Sequence, residues 1–238
     1  MTTQWRATGP YIASSALFSG ILEETRLFLQ TYNTQAGDTQ TRVETAKQFL
    51  RSGLLPQRSV ASRKSIVERI SRRLISWNPP VWVLDDLALF ANQSTLLALK
   101  GALLFHVCRQ DQLLYALVQE VVVPKWQDGH FGIDSGDVQR FLDIQAAQHP
   151  EVESWTRQTR DRLGTTTLTI LRDYGLLEGR APKTIIEPII PDEVIAHALR
   201  VLQAEGIREA NIPAHPDWRL WLWDEERTRR ALSELAIQ

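Results

Sequence analysis

Residues 155–187 read WTRQTRDRLGTTTLTILRDYGLLEGRAPKTIIE. Within this stretch Trp155, Thr159, Leu163, Thr166, Ile170 and Tyr174 recur at three- and four-residue intervals and share one side of a helix, for which Ser154 is a suitable cap and Gly175 a stop. Leu176-Leu177-Glu178 and Thr184-Ile185-Ile186-Glu187 then flank Gly179-Arg180-Ala181-Pro182-Lys183, a spacing that predicts a short β-hairpin. Just upstream, residues 135–148 place Val138, Phe141, Leu142 and Ile144 inward on a second amphipathic helix that stops at His149-Pro150. Helix, turn, helix and basic-tipped hairpin is the order of a winged helix, whose second helix lies in the major groove while the hairpin touches the DNA backbone. Winged helices also serve as plain protein-binding modules, and Thr165-Thr166-Thr167 is a poor helix interior.

The preceding half is helical throughout. Apolar residues at helical spacing predict a short helix over residues 21–29, a polar loop over 31–40, a helix from Thr41 to the stop at Gly53, and a helix over 62–77 capped by Ser59 or Ser62. Three more apolar segments, residues 82–91, 94–109 and 111–126, read as central helices, with Ser94 and Asp111 as caps. The polar, glycine-containing stretch 127–132 marks a domain boundary, giving a helical domain at 12–128 and a winged-helix-like α+β domain at 133–238. Beyond the hairpin, Pro191 opens a helix that ends at Gly206, Trp218 to Trp223 alternates as a strand does, and a charged helix starts at Asp224. The fold class is mainly α.

Charge is balanced overall and segregated locally. The 238 residues carry 27 Lys+Arg against 28 Asp+Glu, a formal charge of −1 that implies no anionic partner by itself. Between Arg51 and Arg73, however, Arg51, Arg58, Arg63, Lys64, Arg69, Arg72 and Arg73 face a single acid, Glu68. Arg69, Arg72 and Arg73 sit about one turn apart behind a serine-rich helix start, which suits them to phosphates; a solvated face, or docking on an acidic patch of a partner, is the plainer account. On the later helix Arg157, Gln158, Arg160, Asp161 and Thr165 offer groups for bases or phosphates, and Arg180 and Lys183 occupy the hairpin tip.

Signs of an enzyme are missing. No phosphate-binding glycine loop, serine-hydrolase elbow, dinucleotide fingerprint or zinc-protease motif occurs, so no catalysis, cofactor or small-molecule substrate is expected. His106 and Cys108 point to diverging faces of an apolar helix and read as core; His130 and Asp134 flank a surface turn; His149, His197 and His215 have no carboxylate at ligand spacing; no metal site is expected. Trp218, Trp221 and Trp223 form a group that exposure would make a stacking platform. One cysteine excludes an internal disulfide, and no apolar run approaches the roughly 20 residues of a membrane span, so a cytoplasmic protein is expected.

Four stretches, Gly20-Ile-Leu-Glu-Glu-Thr, Ser52-Gly-Leu-Leu-Pro56, Arg172-Asp-Tyr-Gly-Leu-Leu-Glu-Gly179 and Pro216-Asp-Trp-Arg-Leu220, together resemble in order and spacing the BrxA family of bacteriophage-exclusion (BREX) defence systems, over about residues 20–222. The resemblance implies an N-terminal helical bundle similar in part to the antitermination factor NusB, binding of double-stranded DNA within a phage-restriction complex, and no catalytic residue. Residues 31–40 and the tail after Leu222 match no family pattern. The expectation is therefore a non-catalytic duplex-binding accessory that uses phosphate contacts from Arg58, Arg63, Lys64, Arg69, Arg72, Arg73, Arg157, Arg160, Arg180 and Lys183, with other BREX proteins as partners and no membrane. A scaffold subunit of the same complex is the alternative, and an RNA-binding NusB-like protein the third reading.

Overall fold

The computed structural model describes residues 5–13, 20–53, 55 and 59–237. Helix α1 (Leu22–Thr34) is longer than its apolar spacing suggested, because Thr31 and Tyr32 continue the buried face and the Thr31 hydroxyl donates to the Leu27 carbonyl at 2.8 Å. It packs against α2 (Thr39–Ser52), capped by Asp38 and closed at Gly53 with φ 152°. Helix α3 (Val60–Ile70) takes Ser59 as its cap and runs into a π-helical turn, Ser71–Ile75. After Pro79-Pro80 come α4 (Val81–Ala91) and α5 (Leu97–Gln110). Ser94 caps nothing; α5 begins after Leu96 without a side-chain cap. Eleven of the 14 residues of α5 are buried, which makes it the central element of this half. Asp111 accepts from the Leu114 N–H and starts a continuous helical run of α6 (Gln112–Leu117), a π turn (Val118–Val122) and α7 (Val123–Gln127).

The second half opens with a strand absent from the sequence expectation, β1 (Gly132–Ile133). A capping box between Asp134 and Asp137 starts α8 (Ser135–Ala146), whose Ile144 points outward at 65% exposure, against expectation. A single turn, α9 (Pro150–Glu153), separates it from α10 (Arg157–Asp173), which Thr156 caps in place of Ser154. The hairpin strands β2 (Leu177–Glu178) and β3 (Lys183–Ile185) pair antiparallel, and β1 joins the other edge of β3, giving the order β1-β3-β2. The threonine run survives in α10 because each hydroxyl bonds back to a carbonyl one turn earlier: Thr166 to Arg162 and Thr167 to Leu163, both at 2.6 Å. Helices α11 (Asp192–Ala204) and α12 (Glu225–Leu235) complete the chain.

Between them the Trp218 region is a 3₁₀ turn, Pro216–Trp221, and not a strand. All three tryptophans are buried, at 1%, 0% and 3% exposure, so they offer no stacking platform. The Trp221 Nε1 donates to the Gly101 carbonyl of α5 at 3.1 Å and Trp218 Nε1 to Ile212 at 2.7 Å, which gives these two buried indoles their polar partners. The buried apolar side chains from both halves form one cluster. No helix among the described residues is long and apolar enough to cross a membrane.

Two polar networks cross this core. Arg109, at the end of α5, pairs with Glu205 and lies 3.4 Å from Asp217, while Glu205 also accepts the Trp5 N–H at 2.7 Å and the Arg109 carbonyl accepts the Ala7 N–H at 2.9 Å. In the other, His106 Nε2 of α5 lies 2.8 Å from His197 Nε2 of α11, whose Nδ1 lies 2.8 Å from Asp86 Oδ2 of α4. His197 thus has the carboxylate partner that sequence spacing concealed, since Asp86 is 111 residues away. With both rings neutral the bonds run one way: His106 Nε2–H donates to His197, and His197 Nδ1–H donates to Asp86.

Burial, then the facing His197 and Arg109, hold the His106 imidazole well below its ordinary range. The unfolded chain therefore takes up, below about pH 6.5, a proton that the folded chain refuses; stability is full above that pH and falls as pH drops, by at most about 1.4 kcal/mol per pH unit. Urea unfolding between about pH 7 and pH 5 is expected to show this loss in the wild type. His106→Leu should start less stable at neutral pH and lose less on acidification; an unchanged slope would assign the proton uptake to another group.

Candidate nucleic-acid interface

The basic residues of α3 and its π turn separate into outward and inward sets. Arg63 Nε donates to the Arg51 carbonyl at 2.8 Å, and Lys64 is exposed. Arg58 lies outside the described residues. At the C-terminal end the helix widens: the Ser76 N–H reaches back five residues to the Ser71 carbonyl at 2.8 Å. Arg73, seven residues after Ile66 and three after Ile70, faces the core, where its Nη1 donates to the Gly20 carbonyl at 2.8 Å and to the Tyr174 hydroxyl at 3.1 Å, and Tyr174 itself donates to Gly20 at 2.6 Å. At 8% exposure Arg73 is held by protein groups and is not on the open surface where a duplex would meet it, a correction to the sequence expectation. Arg69 is half-buried, and Arg72 is exposed; with Arg73 they line one side of a cleft of about 250 Å³, closed on the other side by Ala7 to Pro10, Ile12 and Gln110 to Gln112.

The second basic surface lies on α10 and the hairpin. A Cβ at Gly164 would sit 3.1 Å from Gln139 Nε2 and 3.3 Å from Ser135 Cβ, so glycine there lets α10 cross α8 at close range. A shallow groove of about 130 Å³ runs between α10 (Thr165, Leu168, Thr169) and Ala181 and Lys183 of the hairpin. The Arg157 side chain is 95% exposed, with Asp161 4.0 Å away in a solvated pair that contributes little. Arg160, expected on the exposed face, is instead only 18% exposed: it pairs with Asp143 at 2.9 Å and donates to the Val152 carbonyl at 2.9 Å, clamping α10 to α8 and α9. Arg180 is exposed at the turn, while Lys183 is half-buried opposite Ile133 in the sheet. Among the described residues no group of three or more His, Cys, Asp or Glu side chains is placed to hold a metal ion.

A family model described as BrxA matches residues 9–201. The chain belongs to the BrxA family. That match takes in α3, α10 and the hairpin, and ends before the tryptophan turn and α12. The crystal structure of an uncharacterized protein from Magnetospirillum magneticum has a similar fold, with a TM-score of 0.64 at 16% sequence identity over 84% of this chain and 97% of that one. A comparison with curated proteins gives no match.

Within this BrxA-family chain the nine described residues of the ten singled out from sequence do not form one surface. Lys64, Arg72, Arg157 and Arg180 point to solvent; Arg63, Arg69 and Lys183 are partly covered; Arg73 and Arg160 are held by protein groups. Arg162 and Arg172 add cations on exposed positions of α10 that the sequence reading passed over, although the spacing Arg162, Thr165, Thr169, Arg172 was a readable stripe. The cleft joins residues about 60 and 100 positions apart, beyond the reach of any periodicity.

Buried hydrogen bonds from a charged donor stabilise by about 1.5 to 3 kcal/mol. Arg73→Ala is accordingly expected to lower unfolding free energy by about 2 to 3 kcal/mol. Arg72→Ala, one residue away and exposed, should leave the denaturation midpoint nearly unchanged. Equal effects in thermal or urea unfolding would contradict the division between the two arginines.

Proposed function

We propose that this protein is a non-catalytic, duplex DNA-binding accessory of a bacteriophage-exclusion defence system, holding DNA mainly through phosphate contacts. Membership of the BrxA family supports the defence role and implies other proteins of that system as partners. The observation that carries the DNA reading is the arrangement of residues 132–185: strand, helix, helix and hairpin, with sheet order β1-β3-β2 and the basic turn beside the exposed stripe of α10. With α9 as the turn between its two longer helices, this order resembles that of a winged helix and supports the reading. The 17 residues of α10 span about 25 Å, and a helix fits a major groove about 12 Å wide.

Arg157, Arg162 and Thr165 would then lie along the groove and Arg180 on the adjacent backbone. The inward turn of Arg73 and the tethering of Arg63 favour this surface over α3 as the main anchor, with Lys64 as an outlying contact. Occupancy of about four to six phosphates corresponds to a log–log salt slope of roughly −4 to −5, with little preference among duplex sequences.

Anisotropy titration of a short labelled duplex between about 50 and 200 mM salt tests the reading. Arg157→Glu combined with Arg180→Glu should weaken binding by at least about tenfold and reduce the slope by about two, whereas Arg63→Glu with Lys64→Glu should cost less. If folded variants of both kinds bind duplex as the wild type does, while the protein still co-purifies with other defence proteins, the scaffold role replaces the DNA-binding one.

A further inference from the structure

Three arginines of one helix end converge on the cleft between α3 and the N-terminal strap, residues 7–12. The lining holds three guanidinium groups, from Arg69, Arg72 and Arg73, and one carboxylate, Asp111, an excess of two positive charges. These groups are arranged before any ligand arrives. Arg73 is fixed by Gly20 and Tyr174, and the strap is fixed by the Ala7 N–H on the Arg109 carbonyl at 2.9 Å, by Gln112 Nε2 on the Ala7 carbonyl at 2.7 Å and by the Tyr11 N–H on Glu151 at 2.8 Å. Burial, then the neighbouring Arg73 and Arg72, push the Arg69 guanidinium down to about 10, so the cluster stands under mutual repulsion.

We propose that this cleft is a binding site for a compact phosphate dianion, the terminal phosphate of a small phosphorylated molecule or free inorganic phosphate. Guanidinium groups meet phosphate oxygens through paired hydrogen bonds, and an excess of two charges matches a phosphate monoester above its second pKa of about 6 better than a backbone diester, which carries one. The geometry excludes a duplex running through: at about 250 Å³, with the strap across it, the cleft admits an end group and not a continuous backbone. Ala7, Pro10 and Ile12 supply an apolar wall beside the arginines, and Ile12 is 55% exposed, which suits a small organic phosphate over the bare ion. The site is separate from α10 and the hairpin, so it stands or falls independently of the DNA reading.

Calorimetric titration of the full chain with adenosine 5′-monophosphate, adenosine and inorganic phosphate, at constant ionic strength held with chloride, tests the assignment. Adenosine 5′-monophosphate should bind one to one and more tightly than adenosine, and affinity should fall at least about tenfold in Arg69→Gln and in Arg72→Gln. Arg72 is exposed, so its variant keeps the test valid if the Arg69 variant fails to fold. Stronger binding of the nucleotide than of inorganic phosphate assigns an organic ligand; equal binding of the two assigns free phosphate. Adenosine binding as well as its monophosphate, no binding of either phosphate at millimolar concentration, or binding unchanged in a folded Arg72→Gln would each overturn the proposal. A 5′-hydroxyl duplex titrated in parallel reports on the duplex surface and not on the cleft, which keeps failure here distinct from failure of the DNA reading.

Discussion

A fully desolvated guanidinium sets the terms for much of this structure. Arg109 closes a helix that is buried nearly all round, and at 2% exposure it has no water to solvate it. An isolated charge in such a place costs several kcal/mol, so compensating carboxylates must be brought to it. They come from far along the chain: Glu205 just past α11 and Asp217 in the tryptophan turn. Each is itself held by further groups, Glu205 by the Trp5 N–H and Asp217 by the Tyr115 hydroxyl at 3.0 Å, with Arg6 stacked over the Tyr115 ring at 3.5 Å. One charge thereby draws the N-terminal strap, α5, α6, α11 and the tryptophan turn to one point, and no member can leave without stranding the others.

The remaining arginines divide by what surrounds them. Arg73 and Arg160 act as internal clamps, donating to carbonyls and a tyrosine or pairing with an acid across helices. Arg69 and Arg72 are turned toward a confined space, and Arg157, Arg162 and Arg180 toward open solvent. A near-zero net charge thus conceals three different electrostatic jobs. Along α3 and its π turn, Arg73 falls on the buried stripe of Ile66, Val67, Ile70 and Leu74, whereas Arg72 falls outside it.

Sequence periodicity revealed most of the helices, the Ser59 and Asp111 caps and the hairpin, since these depend on residues within a few positions of one another. It misjudged where the signal was local but the outcome was tertiary. Trp218, Leu220 and Leu222 alternate with Arg219 and Trp221 as a strand does, yet the pull of Asp217 toward Arg109 and the need to seat two indoles on core carbonyls wind the segment into a 3₁₀ turn. Strand β1 has only two residues and is recognisable through its partner β3, some 50 positions later. Of the candidate site, the cationic residue types were legible; their partners were not, because Arg73 meets Gly20 and Tyr174 only in the folded chain and Arg160 finds Asp143 only once α8 and α10 are crossed.

The buried aromatic turn also equips the molecule with an internal optical gauge. Trp218, Trp221 and Trp223 have ring centroids 5.5 to 6.4 Å apart, close enough for their electronic transitions to couple and give a near-ultraviolet dichroism signature that depends on this packing. They sit in the turn between α11 and α12 that also carries Asp217 to Arg109. The coupled indoles therefore register, without any attached dye, whether the Arg109 assembly is intact.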